Sequence, residues 1–176
     1  MIHASRSLGK VIASCLAAAA VLVSSTLVVA QNPSVSPELK ETTTYPLTMD
    51  KIHRLAAAAK ELSEYGKSNP DLALNEKSKD NSGTLNFTET ANRIDSKFPA
   101  AAAIIKKNGF STREFLVATT TFALASMAVS LKKSGMTVPA DKSEGPVVQA
   151  NKDLIDKNWD EVQKLSAAMR PAGGNH

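Results

Sequence analysis

The sequence predicts an all-α fold, a single-domain bundle of four to five helices around a central apolar helix at about 112–134. Three observations predict it. Between 48 and 169, apolar residues recur at intervals of three and four, the spacing of one helical face. The 17 residues between Glu114 and Lys132 carry no charge, and a helix apolar all round belongs in the middle of a bundle or in lipid. Helix starts are marked by Thr48, Asn86 and Ser111, and two helix ends by Lys-Lys-x-Gly at 106–109 and 132–135.

The first 30 residues read as an export signal. Arg6 and Lys10 precede an uncharged apolar stretch from Val11 to Ala30, which ends in Val28-Val29-Ala30 before Gln31. Modest side chains at the two positions a signal peptidase inspects predict cleavage after Ala30. The alternative is an uncleaved anchor, since 20 apolar residues are just long enough to cross a bilayer. Ile12-Ala13-Ser14-Cys15 resembles a lipoprotein cleavage box, but only four apolar residues separate Lys10 from Cys15. A signal core needs about 7 to 15, so Cys15 is read as a passenger in the signal.

The 146 residues after Ala30 contain no cysteine. The exported domain must therefore be held by its core, and a chain of this size can bury roughly two thirds of its unfolded surface. Beyond the signal stand 19 basic and 17 acidic residues. That balance gives no reason to expect nucleic acid or a strongly anionic partner.

Residues 31–46, with three prolines and many hydroxyls but no apolar period, predict a disordered leader. The helical domain follows over 47–169. Ile52, Leu55, Ala56, Ala59 and Leu62 form the stripe of a first helix, capped by Thr48 and ended by Gly66. The polar run 75–83 is the clearest internal loop. Asn86-Phe87-Thr88-Glu89 forms a capping box ahead of Phe87, Ala91, Ile94 and Phe98. This cap accounts for Asn86 better than the glycosylation signal that Asn86 to Thr88 also spells. Pro99 opens a short helix through Ile105.

Ser111, with Glu114 three residues on and Phe110 and Phe115 placed to pack across the cap, is the most specific local signal in the chain. It predicts a helix starting at Thr112. Each Lys-Lys-x-Gly ending places cations at the outward carbonyls, a left-handed glycine next, and an apolar residue, Phe110 or Met136, folded back on the last turn. Val138 to Pro146 reads as a loop. A last helix is expected from about 146 to 169, with Val147, Leu154, Ile155, Val162 and Leu165 as its stripe and Asn151, Asn158 and Trp159 on or beside it. Its other face carries pairs such as Asp153–Lys157 and Asp160–Lys164 at contact spacing. The tail 170–176 is expected to be disordered.

As a membrane span the central helix is short. Seventeen residues reach about 25 Å, against roughly 30 Å of hydrocarbon. Thr119, Ala123, Ser126 and Ser130 line up as a face of small residues that would let another helix approach closely, and the alanine runs 56–59 and 100–103 are the expected neighbours. Membrane contact is expected only through the signal segment, if that is not cleaved.

The sequence carries no catalytic, cofactor or metal motif to assign. A Ser-His-Asp site would have to use His53, and no Gly-x-Ser-x-Gly turn accompanies it. Asp50, His53 and Met49 lie near one helical surface, but structural zinc takes four ligands, so a solvated histidine is expected. Haem would need an axial pair from His53, His176, Met127 or Met169, and there is no Cys-x-x-Cys-His for covalent attachment. Glu61 and Glu64 sit on a lysine-rich polar side, which leaves carboxylates poorly prepared for acid catalysis. Phosphate-binding glycine loops and an aromatic–basic nucleic-acid platform are absent.

Pro46-Leu47-Thr48-Met49-Asp50-Lys51, opening a helix after a leader, resembles the Leu-Thr-x-x-Gln helix starts of small periplasmic stress chaperones of the Spy and CpxP type, with Lys51 in place of the glutamine. Residues 46–169 as a whole resemble short exported all-α bacterial proteins of unassigned function, a likeness that implies no active residues. The expectation is a non-enzymatic binding module of the cell envelope, periplasmic or extracellular, without cofactor. Its partner would be a protein or a small apolar ligand; the alternatives are a chaperone-like protein and a carrier of an apolar ligand or haem.

Overall fold

The computed structural model describes residues 37–69, 86–136 and 145–169. They form seven helices: α1 Pro37–Thr44, α2 Met49–Ser68, α3 Phe87–Lys97, α4 Pro99–Lys107, α5 Thr112–Lys133, α6 Pro146–Lys157 and α7 Trp159–Met169. There is no strand among the described residues. The all-α class therefore holds, with more and shorter helices than the apolar pattern suggests. The expected signal with Cys15, the loop 75–83 and the tail lie outside the described residues.

The caps follow the residues that predict them. The Thr48 side chain accepts from the Lys51 amide, Asn86 from Glu89 and Ser111 from Glu114, each satisfying an amide that the first turn leaves unpaired. Phe110 and Phe115 meet edge to face at 6.2 Å across the α5 start. Gly109 and Gly135 have φ of 81° and 75°, and the amides after them return to Ile105 and Leu131, closing the helix ends. Phe110 folds back and is buried, but Met136 is 55% exposed. Its amide makes the turn while its side chain stays largely in solvent.

Three segments differ from expectation. Residues 37–44, assigned to the leader, form helix α1 and dock on α5. Helix α2 runs through Gly66 to Ser68, because a lone glycine weakens a helix by only about 1 kcal/mol. The last helix breaks at Asn158, whose side-chain amide donates to the Leu154 carbonyl and caps α6 before α7 begins at Trp159.

Packing follows the apolar stripes. Helix α7 lies along α2, while α6, α3 and α1 lie against α5. Ile52, Leu55, Ala58 and Ala59 of α2 join Phe115, Ala118, Phe122 and Val129 of α5, Ile155 of α6 and Val162 of α7 in one buried cluster. Ala56, Ala58 and Ala59 are buried on a helix whose main neighbour is α7 rather than α5, and of 100–103 only Ala102 is buried. On α5 the buried small residues are Thr112, Ala118, Thr121 and Ala125; the stripe Thr119, Ala123, Ser126 and Ser130 is half-buried or exposed.

Candidate functional site

Among the described residues, helix α5 is buried around most of its circumference and open on one side. Residues 115, 118, 122, 125 and 129 face the core, and Leu124 and Met127, on the far side, are 36% and 38% exposed. With 100° between successive residues, Leu116, Thr120, Ala123, Leu124, Met127 and Leu131 share this outer face. It runs about 22 Å along the helix without a charge. Helices α1, α2, α3, α4 and α6 all pack on α5, and this apolar side of it still faces outward. By length and hydropathy it is also the one helix among the described residues able to cross a membrane, with 39% of its apolar window buried.

The face is bordered at its N-terminal end by polar attachments of α1. The Arg113 guanidinium grips the Glu41 carboxylate in a fork, with Nη2 to Oε2 at 2.6 Å, while its Nε donates to Thr88 of α3. A carboxylate fork is the geometry that suits guanidinium best, and it raises the Arg113 pKa further. Eight residues along α5, the Thr121 hydroxyl sits 3.3 Å from the Thr42 carbonyl and 2.8 Å from its own Val117 carbonyl. The Tyr45 hydroxyl donates to Glu114 at 2.9 Å. Burial, and then that bond, push the Tyr45 pKa above the ordinary tyrosine range.

After α1, the extended stretch 45–48 is held by Asn151 of α6. Its Oδ1 accepts from the Leu47 amide at 2.8 Å and its Nδ2 donates to the Tyr45 carbonyl at 2.9 Å. Asn151 is buried. Its position on an apolar stripe was the signal in the sequence; its partners, more than 100 residues away, were not legible there.

Several of the residues weighed for chemistry have structural partners. His53 Nε2 lies 2.9 Å from Glu161 Oε1 of α7, both half-exposed. Asp50 lies 2.9 Å from Arg54 Nε, a charge contact rather than a directed hydrogen bond, since that N–H points elsewhere. Met49 packs on the core, so it does not share a site with His53. Met127 lies on the outer face of α5 and Met169 is buried in the core cluster; His176 lies outside the described residues. Glu61 accepts from Lys107 at 3.0 Å, and this bond holds its pKa low.

The last charged face also pairs across helices. Asp156 of α6 reaches Lys132 at 2.9 Å and Lys133 at 2.7 Å, and their hydrogen bonds pull its pKa down to about 2. Lys133 also lies 5.5 Å from the Trp159 ring. The charges of the α5 end are thus tied to α6, on the side away from the outer apolar face. Asp153 accepts from Gln149.

No protein-family model, curated protein or solved structure matches the chain.

Proposed function

We propose that the protein is a non-enzymatic, exported binding module of the cell envelope, a single helical domain organised around α5, whose contact surface is the outer side of that helix. The observation that carries this reading is the exposure of Leu124 and Met127 on an uncharged face. Burying such a face against a partner gains roughly 25 cal/mol for each Å² removed from water. Methionine among leucines suits partners of varied shape, because its side chain is unbranched and adaptable. An open helix side also fits an apolar polypeptide segment better than a small ligand that needs enclosure, which favours the chaperone-like reading over the carrier.

The test is suppression of aggregation of an unfolded client at substoichiometric amounts of this protein. The wild type should protect, and Leu124→Lys with Met127→Glu should lose protection while melting at the same temperature. Equal protection by both proteins rejects the outer face of α5 as the contact surface. The mass of the protein purified from its own envelope fraction checks export: a chain beginning at Gln31 is expected, and one retaining residues 1–30 rejects cleavage.

A further inference from the structure

Helix α1 attaches to the molecule in a way the other helices do not. Of its eight residues only Thr42 is buried, and its one leucine, Leu39, is 39% exposed. Two polar contacts tie it to α5, the Glu41–Arg113 fork and the Thr42 carbonyl against the Thr121 hydroxyl, and it also lies against α6. Eight residues are too few for a helix to persist in water alone, and three consecutive threonines at its end are poor helix formers. Its helicity therefore depends on docking.

Its place on α5 gives the docking a consequence. Arg113, Val117 and Thr121 follow at four-residue steps along α5, and α1 is anchored to the first and the last of them. Val117, between the anchors, is buried at 1% exposure. Leu124 lies two turns beyond Val117 on the same stripe, at a spacing of seven residues, and is 36% exposed. The stripe is thus buried between the two anchors and opens to solvent at Leu124 beyond them.

We propose that α1 is a releasable strap over the N-terminal half of the α5 contact face. When it lifts, Val117 joins Leu116, Leu124 and Met127 in one longer apolar surface. The stretch at Tyr45 and Leu47, held by Asn151 and Glu114, stays in place as the base on which it turns. The latch is the Glu41–Arg113 pair, whose side chains are 33% and 44% exposed, so salt weakens it. This deepens the reading of α5 as the contact surface and rests on it.

Hydrogen exchange of the α1 amides in the whole protein tests the strap. Their exchange should be faster than that of α2 and α5. It should speed up roughly two- to fivefold when salt rises from about 0.1 M to about 1 M, and by a similar factor in Glu41→Arg or Arg113→Glu, the range expected for an exposed pair. The charge-swapped double variant, Glu41→Arg with Arg113→Glu, should restore protection, which a merely misfolded single variant would not. Alpha1 amides that exchange only with global unfolding, or a double variant as open as the single ones, overturn the proposal. Client protection is measured in the same variants and should rise in the open ones. Salt-responsive opening without that rise rejects the α5 contact surface and leaves the motion of α1 standing, so the two failures are distinguishable.

Discussion

The Asn151 side chain binds the backbone at Leu47, 104 residues earlier in the chain, by accepting its amide hydrogen at 2.8 Å, and it completes the clasp by donating to the Tyr45 carbonyl. One buried carboxamide thereby does for an extended stretch what a neighbouring strand would do. Two backbone groups that a folded interior must satisfy depend on it. Replacement by leucine keeps the branched shape, adds volume and strands both groups, so Asn151→Leu should lose about 2–4 kcal/mol. Urea unfolding should show a lower midpoint with an unchanged slope. A loss below about 1 kcal/mol would mean that water takes over both bonds.

Gly109 and Gly135 end two helices with the same backbone turn but different surroundings. A Cβ on Gly109 would lie 2.5 Å from Arg54 Nη1, whereas nothing lies within 4 Å of one on Gly135. Both substitutions by alanine force a side chain into the left-handed region, at about 1 kcal/mol or more. Gly109→Ala must also displace an arginine that donates to the Gly109 carbonyl and stacks on Phe110. It should therefore be more destabilising than Gly135→Ala by about 1 kcal/mol. In an Arg54→Ala background that difference should shrink, and thermal melts of the four proteins decide it.

These examples mark what could be read in advance. Caps and helix ends are local: Ser111 with Glu114, and Gly109 with Phe110, lie within a few residues of each other, so the chemistry that sets them is visible in the sequence. The all-α class follows for the same reason. The break at Asn158 leaves no trace in the apolar pattern, because the stripe continues across it in phase. Helix α1 is not legible in its own sequence, Pro-Glu-Leu-Lys-Glu-Thr-Thr-Thr, which has no apolar period; Arg113 and Thr121 hold it from 72 and 79 residues away. Which side of α5 stays open is not written in a stretch that is apolar all round.

Asp156 gives the acid limb of stability a specific origin. Hydrogen bonds from Lys133 and Lys132 lower its folded pKa to about 2, from 3.8 for the free group. A depressed acid contributes stability above its unfolded pKa and loses it as pH falls through the folded value. The contribution should be fully present at neutral pH and disappear between about pH 4 and pH 2. Asp156→Asn should flatten the dependence of melting temperature on pH in that window. An unchanged slope would show that the two lysines leave the carboxylate in solution as often as not.

Substitutions along α5 separate its two sides. Ala118 and Ala125 are buried at 0% and 6% exposure, while Ala123 is only half-buried. Ala125→Leu must force its extra volume against the packed core and should lose about 1–3 kcal/mol. Ala123→Leu, on the side expected from the sequence to be the tight contact, should stay within about 0.5 kcal/mol of the wild type. The ranking matters more than either value. If Ala123→Leu proves the more damaging, the outer face is covered in solution and the proposed contact surface is not free. If Ala125→Leu does, leucine at 123 enlarges an open apolar face on an intact domain, and client protection should be kept or raised.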